Sequence, residues 1–270
     1  MERRMQTTKL LFGGRGLVES PRWHDGHFWF ADWTAGEILR IGDDGGTPDV
    51  QARVAGVPLS FDFARDGALL IVASRTGRLL RHSADGQRAV LAALGPGLWN
   101  EIVVDGRGNA YVNGPSLVLV TPDGQVSQEA DGFAFPNGMA VTPDNRTLIV
   151  AESHARCLSA FDIGRDGHLS RRRIWADLDG PPDGICTDAA GAVWYADVPN
   201  CCCRRVAERG EVLDEVRLDR GAFACMLGGP TRHTLLITAA TWYGMDRMAE
   251  MAGTGQVLTA AVEVAGTGWP

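Results

Sequence analysis

A unit of about 40 residues recurs along this chain, and no other feature of the sequence restricts the fold as strongly. Each copy has a short apolar segment, a turn containing Asp or Gly, and a segment rich in aromatic or β-branched residues. Clear copies are PLSFDFARDGALLIVAS from residue 58, LWNEIVVDGRGNAYVN from residue 98 and FPNGMAVTPDNRTLIVAE from residue 135. Two further strands, separated by another turn, complete each unit. Four short strands repeated at this period are typical of a β-propeller.

Six such units account for nearly the whole chain of 270 residues. The sequence therefore predicts an all-β, six-bladed β-propeller that forms one domain over residues 1–270. No long segment has helical periodicity, and residues 242–252 are expected to form a short helix or a loop. The N-terminal TTKLLFGG is expected to complete the last blade, because an open ring would leave strand edges unpaired.

Composition excludes several classes of partner and location. The formal net charge of −7 argues against a nucleic-acid backbone as partner. No apolar run approaches the roughly 20 residues that cross a bilayer, so no membrane partner is expected. The N-terminal MERRMQTTKL has no apolar core of a secretory signal. Six cysteines, three of them consecutive at Cys201–Cys203, resemble neither a disulfide framework nor a zinc motif. Reduced thiols in a cytoplasmic protein are expected, and the oligomeric state is left open.

Polar side chains recur at the start of the predicted innermost strands, which line the central channel of a propeller. They are Glu19, Ser60, Asn100 with Glu101, Asn137, Asp183 and Cys225. A second set lies at the ends of the second strands, at Asp32, Ser74, Asn113, Glu152 and Asp197. Carboxylates and amides that converge on one axis are costly to bury without a cation or water. Oxygen donors favour a hard cation, so the pattern predicts one divalent metal ion in the channel. Ca²⁺ is the first choice, with Mg²⁺, Mn²⁺ or Zn²⁺ as alternatives.

Four of these segments resemble the senescence-marker-protein/gluconolactonase/luciferin-regenerating-enzyme family, which consists of six-bladed propellers with one metal in the channel. The motifs are ESPRW around Glu19, WNE around Asn100, PNGMAVTPDNRTLIVAE around Asn137 and PDGICTDAAGAVWYAD around Asp183. The resemblance covers essentially the full chain. It implies that Glu19, Asn137 and Asp183 bind the metal, and that Asn100 contacts substrate or completes the coordination.

This chain departs from the family pattern next to Asn100. Members that open sugar lactones often have an Arg two residues before that Asn and an Asp after it, where this chain has Leu98 and Glu101. Loss of the Arg removes a forked donor for sugar hydroxyls. Leu98 and Trp99 therefore suggest a more apolar pocket and a substrate less polar than a sugar lactone. His154, just after a second strand, is expected to overlook the channel mouth.

The resemblance implies metal-assisted hydrolysis of a lactone, in which the cation polarises the ester carbonyl. Asp183 is the candidate general base as well as a ligand, and Glu101 and Glu152 are second choices for proton transfer. No GxSxG nucleophile motif is present. Two alternatives stay open: a phosphotriesterase or other esterase at the same site, and a calcium-binding or ligand-binding propeller without turnover. A small-molecule lactone or ester is the expected partner.

Overall fold

The computed structural model describes residues 7–269 and contains six four-stranded antiparallel sheets. The innermost strands of successive sheets contact one another in chain order, and the first sheet contacts the last. The sheets therefore close into a ring. The predicted all-β, six-bladed β-propeller is confirmed, and the sheets are called blades 1 to 6 below.

The strand bounds follow the predicted period, with one strand at the N-terminus that belongs to the last blade. That strand is β1 (Lys9–Arg15). Blade 1 contains β2 (Val18–His24), β3 (His27–Asp32), β4 (Glu37–Gly42) and β5 (Gly45–Arg53). Blade 2 contains β6 (Leu59–Phe63), β7 (Leu69–Ala73), β8 (Arg78–His82) and β9 (Arg88–Ala93). Blade 3 contains β10 (Ile102–Val104), β11 (Ala110–Asn113), β12 (Leu117–Val120) and β13 (Val126–Ala130).

The remaining blades repeat this meander. Blade 4 contains β14 (Pro136–Val141), β15 (Thr147–Glu152), β16 (Cys157–Ile163) and β17 (Leu169–Asp177). Blade 5 contains β18 (Ile185–Thr187), β19 (Val193–Asp197), β20 (Cys202–Val206) and β21 (Val212–Arg217). Blade 6 contains β22 (Gly221–Gly228), β23 (Thr234–Ala240) and β24 (Gly255–Ala261), and β1 is its outermost strand.

Blade 6 joins the two ends of the described chain. β1 pairs antiparallel with β24, from Lys9 opposite Thr259 to Arg15 opposite Gly255. This pairing covers an edge of β24 that would otherwise expose backbone donors and acceptors.

Sequence accounts for the strands and for the turns between them. Inner and second strands such as β19 are buried along their whole length and rich in β-branched and aromatic residues. In the turn of blade 3, Asp105 Oδ1 accepts hydrogen bonds from the backbone N–H groups of Arg107 and Asn109. Asp188 makes the equivalent bonds in blade 5, to Ala190 and Ala192. The recurring Asp in these turns therefore stabilises the reversal of the chain.

The apolar core lies between neighbouring blades. One buried cluster joins Phe30 of blade 1, Trp194 of blade 5 and Met226 of blade 6. Comparable clusters lie between blades 2 and 3 and between blades 4 and 5. Packing between blades thus holds the inner strands at fixed positions around the channel.

The two ends of the channel differ. Every inner strand begins at the same end, which is called the mouth. At the far end, residues 262–269 cross from blade 6 to blade 4: Gly266 N donates to Arg232 O, Thr267 N to Thr187 O, and Trp269 N to Val141 O. The C-terminal segment therefore covers part of the end opposite the mouth.

Helical structure in residues 7–269 is limited to two short 3₁₀ segments, Ser74–Thr76 and Met245–Met251. Both lie in connections at the mouth, and the second falls in the segment expected to be a short helix or loop. In the part of the chain described, no helix is long and apolar enough to cross a membrane.

Candidate active site

The structure places the three predicted metal ligands at the mouth end of the inner strands. Glu19 lies in β2, Asn137 lies in β14, and Asp183 comes two residues before β18. Asp183 N donates to Ala196 O at 2.9 Å within blade 5, and Gly138 N donates to Asp183 O at 3.2 Å from blade 4. These bonds hold the segment of Asp183 against the neighbouring blade.

Asn137 is the centre of a chain of polar contacts. Its Oδ1 accepts a hydrogen bond from Asn100 Nδ2 at 3.3 Å, and its Nδ2 lies 3.4 Å from Ser153 Oγ as donor. Ser153 Oγ in turn donates to Pro182 O at 2.6 Å, next to Asp183. The side chains of blades 3, 4 and 5 are therefore connected at the mouth.

Glu19 and Asp183 are both carboxylates, and their negative charges repel each other. Burial, followed by the charges of Asp183 and Glu101, raises the pKa of Glu19 well above its ordinary value. Burial, followed by the charge of Glu101, raises the pKa of Asp183, and a hydrogen bond from Asn137 partly offsets this. Two carboxylates in this situation gain from a nearby cation.

Glu101 lies close to both carboxylates but has a partner of its own. Its Oε1 accepts from Arg22 Nη2 at 3.2 Å and from the backbone N–H of Ile102 at 2.8 Å. Arg22 is 5% exposed, and its Nε lies 3.5 Å from Asp62 Oδ1. Burial raises the pKa of Glu101, and the charge of Arg22 lowers it. Arg22 therefore compensates the charge of Glu101 and Asp62 below the site.

The channel is nearly filled at the level of Arg22. A cavity of about 10 Å³ remains there, about the volume that one water molecule needs, and Arg22, Glu101, Gly184 and Cys225 help to line it. A ligand for Glu19 and Asp183 must therefore approach from the mouth.

The donor set fits a hard divalent cation. Within residues 7–269 no three His, Cys, Asp or Glu side chains converge as a metal site, so a cation here also requires the amide oxygen of Asn137. Two carboxylates and an amide, with Asn100 beside them, form an oxygen-only set of the kind Ca²⁺ and Mg²⁺ prefer. Burial, and after it the repulsion of neighbouring carboxylates, raises the pKa of Glu19 and of Asp183, and a cation bound beside them would favour their charged forms.

Four of the five residues in the second predicted set make structural contacts with their side chains, and the exception is Ser74, whose buried Oγ has no hydrogen-bond partner among the described residues. Asp32 Oδ1 caps the turn at Thr34, and Asn113 Nδ2 donates to Asn137 O at 2.6 Å. Glu152 accepts from Ala134 N at 2.9 Å and from Arg172 Nη2 at 2.8 Å. Equivalent bonds hold Asp197, to Asn200 and Arg204. Glu152 is thus a poor candidate for proton transfer, because its oxygens are bound away from the channel.

The predicted substrate-binding residues divide into two groups. Leu98 is 65% exposed at the mouth, and His154 is also exposed there, stacked on Phe135 with ring centroids 4.7 Å apart. Trp99 is only 2% exposed, packs in the core between blades 2 and 3, and donates from Nε1 to Gly95 O at 3.0 Å. The structure does not bring Trp99 into the site, because its ring turns toward the core while Leu98 turns to solvent.

The consecutive cysteines lie beside blade 5 rather than in the channel. Cys201 is in the turn before β20, and Cys202 and Cys203 are the first residues of that strand. All six cysteines are free thiols, and Cys225 lines the small cavity below the site. Burial raises the pKa of Cys225 well above its ordinary value, so this thiol stays protonated.

Sequence reasoning missed Arg22, Asp62 and Ser153. Arg22 lies three residues after Glu19 in the ESPRW motif, but its partners Asp62 and Glu101 belong to blades 2 and 3. Ser153 directly follows Glu152, and its place next to that recurring polar strand end was the signal that could have found it. Because only the closed ring brings these residues together, position within one repeat does not reveal their partners.

The fold and the site together define a class: six-bladed propellers with an oxygen-rich, acidic centre open to one end of the channel. The family model described as "SMP-30/Gluconolactonase/LRE-like region" matches residues 17–241. The chain belongs to this family.

Relatives and solved structures agree with this assignment. A pentonolactonase of Haloferax volcanii is 27% identical, over 98% of this chain and 97% of its own length. A 6-deoxy-6-sulfogluconolactonase of Pseudomonas putida is 26% identical, over 94% of both chains. Among solved structures, a calcium-binding regucalcin from Agrobacterium tumefaciens superposes with a TM-score of 0.82 at 20% identity, covering 98% of this chain and 97% of that one. At this identity the structural likeness supports the fold.

Proposed function

We propose that this protein is a divalent-metal-dependent hydrolase that opens a lactone. The observation that carries the proposal is the pair of carboxylates, Glu19 and Asp183, whose pKa values are raised beside Asn137 at the open end of the channel. Both full-length relatives described above are named lactonases, which supports the reaction class.

Glu19, Asn137 and Asp183 would hold the cation, with Asn100 beside it. Ca²⁺ is the first choice, supported by the regucalcin named as calcium-binding, and Mg²⁺, Mn²⁺ or Zn²⁺ are alternatives. When bound, the cation would supply Lewis-acid polarisation of the ester carbonyl.

The chain's own side chains would bind the substrate and move a proton. Asp183 is partly exposed toward the mouth, and we assign to it the acceptance of a proton from the attacking water. Glu101 is the second candidate, but its Oε1 already accepts from Arg22 and from Ile102. Asn100 Nδ2 donates to Pro136 O and Asn137 Oδ1, which uses both of its N–H groups and fixes the side chain, so Asn100 Oδ1 would be the atom that contacts the substrate or the cation.

The substrate we propose is a small lactone that is less polar than a sugar lactone. The support is Leu98, which is 65% exposed at the position where sugar lactonases of this family often have an Arg. His154 would contact the substrate from blade 4. The free cysteines are consistent with a reaction in the cytoplasm.

A second candidate is cleavage of a phosphotriester or another ester at the same site. A diisopropyl-fluorophosphatase of Loligo vulgaris is 29% identical over 182 residues, which cover 56% of this chain and 58% of that protein. A binding protein without turnover is the third candidate.

The test is a panel of lactones, aryl esters and phosphotriesters, assayed with chelator-stripped protein and after restoring each cation. We expect lactone opening that requires the cation and is lost in Asp183→Asn, while Glu208→Gln on the surface behaves as wild type. Cation-dependent cleavage of phosphotriesters alone would favour the second candidate. Tight cation binding without hydrolysis of any member would favour the third.

A further inference from the structure

Exposed large apolar side chains are distributed in a regular way over the described residues. Six of them lie on outer strands, one for each blade: Leu10, Val50, Val90, Val126, Ile174 and Leu213. The other five are Leu98, Phe135, Trp242, Tyr243 and Met245, and all lie in connections at the mouth. The mouth is therefore where exposed apolar surface is concentrated.

Three of the five belong to one unusual connection. The connections between second and third strands have three or four residues in blades 1 to 5, but fourteen residues separate β23 and β24 in blade 6. This segment, residues 241–254, is called the mouth loop. It contains the 3₁₀ segment Met245–Met251, and Gly244 before it has φ 99° and ψ 156°, a conformation that only glycine adopts readily.

The mouth loop is held in place by two of its apolar side chains, which pack against the body of the propeller. Met251 is fully buried against Leu17 and Phe223, and Trp242 packs edge-on against Phe223 with ring centroids 5.4 Å apart. Phe223 O accepts a hydrogen bond from Gly184 N at 2.8 Å, directly after Asp183. Trp242 is therefore connected to Asp183 through Phe223 and Gly184, while it stays 42% exposed.

Phe135 forms a second apolar surface across the mouth. It is 51% exposed, lies two residues before Asn137, and has a φ of 63°, which is uncommon for a bulky residue. Its ring stacks on His154, while its carbonyl accepts from Ser153 N at 3.0 Å. These contacts hold an aromatic ring toward solvent beside the metal ligands. Leu98, at the entry to blade 3, stands across the ring from blade 6.

Two arginines on the blade 6 side of the mouth pair with neighbouring groups, and they are Arg247 in the mouth loop and Arg220 just before β22. Arg247 bonds to Glu250 in the same segment, and Arg220 bonds to Asp219 and to Thr254 O. These cations are therefore already engaged and are not arranged as donors for the hydroxyls of a polyol.

We propose that the exposed apolar side chains around the mouth bind an alkyl or aryl substituent on the lactone ring, and these are Leu98, Phe135, Trp242, Tyr243 and Met245. The inference rests on the proposed function, because it places the reacting ester at Glu19, Asn137 and Asp183. It names a substrate class, lactones with a hydrophobic substituent, and assigns Phe135 and Trp242 as specificity-determining residues.

The test compares unsubstituted δ-valerolactone, an alkyl-substituted δ-decalactone and glucono-δ-lactone with cation-loaded protein. Each buried methylene contributes about fourfold, so we expect kcat/KM for δ-decalactone to exceed that for δ-valerolactone by about 10-fold or more. Phe135→Ser and Trp242→Ser should each reduce this ratio by about fivefold or more, chiefly through KM. Ile174→Ser removes an equally exposed side chain from an outer strand and should leave the ratio unchanged.

Separate outcomes distinguish the two proposals. If no lactone is opened with any cation, the proposed function fails. If lactones are opened but the ratio is near one, or glucono-δ-lactone is preferred, only this inference is overturned. If size-exclusion chromatography gave a dimer for the wild type and a monomer for Trp242→Ser, with the ratio unchanged, the surface would be assigned to contact between copies instead. If Trp242→Ser does not fold, the same kcat/KM ratio is measured for Leu98→Ser. Inhibition of the wild type by an alkyl-substituted δ-lactam then tests binding of the substituent directly.

Discussion

Arg22 Nη2 donates to Glu101 Oε1 at 3.2 Å, joining blade 1 to blade 3 across the channel. The same nitrogen donates to Ile102 O at 2.7 Å, and the guanidinium also faces Asp62 at 3.5 Å. One buried cation thus faces two buried carboxylates immediately below the candidate metal site and partly offsets the rise that burial causes in the pKa of each. Its position explains how the lower channel tolerates acidic residues without a bound cation.

Replacement of Arg22 by Met should strongly destabilise the protein. The change leaves Glu101 and Asp62 buried without a cation, and breaking a buried ion pair in this way costs about 3–5 kcal/mol. The free energy of unfolding in urea measures the effect. Arg22→Lys keeps the charge and should lose less, and Arg22→Met combined with Glu101→Gln should recover part of the loss. Unfolding of Arg22→Met at the wild-type urea concentration would contradict the role given to this pair.

Metal binding should raise the thermal stability of the wild type. Glu19→Gln should raise the Tm when no cation is bound and lower it when the cation is present. A ligand that binds only the folded state at 1,000 times its Kd contributes about 4 kcal/mol. Without a cation, Glu19→Gln removes a charge that opposes Asp183, so the variant should melt above wild type in chelator. In excess Ca²⁺ it should melt below wild type, because a ligand is lost. Calorimetric Tm values in both buffers, with Glu208→Gln as the surface control, test this crossing. Equal shifts in the two proteins would speak against Glu19 as a ligand.

The Glu152–Arg172 contact should contribute stability that depends on pH. Burial alone would raise the pKa of Glu152, but hydrogen bonds from Ser159, Ala134 and Arg172 outweigh it and lower the pKa below 4.5. The unfolded chain therefore binds a proton at higher pH than the folded one, so the contribution is complete above about pH 4.5 and is lost as pH falls through the folded pKa.

Glu152→Gln should accordingly be less stable than wild type near pH 7, by about 1–3 kcal/mol for a buried charged hydrogen-bonding group. The difference should shrink as the pH is lowered below 4.5. Urea unfolding at several pH values measures it, with Glu208→Gln as the surface control. A difference that is constant from pH 7 to pH 3 would show that the charge of Glu152 does not contribute.

The sequence predicts the fold well because the fold is repeated. Glu19, Asn137 and Asp183 occupy equivalent places in three copies, so one alignment of the chain with itself places them on one ring. The repeat also distinguishes Asp183 from Asp188. Asp183 stands where the inner strand begins, and Asp188 stands in the turn between the first two strands of the blade.

Contacts between repeats could not be predicted in the same way. Glu101 is a second choice for proton transfer from the sequence, and the structure gives it Arg22 as a partner from a blade two positions away. Trp99 was expected beside the substrate, but alternation along the chain turns it into the core and Leu98 to solvent. Such partners depend on the diameter of the closed ring and on side-chain direction, which the period alone does not specify.

Gly184→Ala should disturb the site through the packing of blades 5 and 6. A Cβ at Gly184 would lie 2.2 Å from Ala224 Cβ and 2.6 Å from Ala224 Cα, far inside contact distance. The strands must then separate next to Asp183, which we expect to cost about 1–3 kcal/mol of stability and to weaken cation binding. Combining Gly184→Ala with Ala224→Gly removes the nearer contact and should recover part of both losses. Gly13→Ala is the matched control, because its nearest neighbour, Leu10, lies 3.6 Å away. Urea unfolding gives the stability of all three variants, and calorimetric titration gives their affinity for Ca²⁺. Equal stability and equal Ca²⁺ affinity in Gly184→Ala and Gly13→Ala would contradict this prediction.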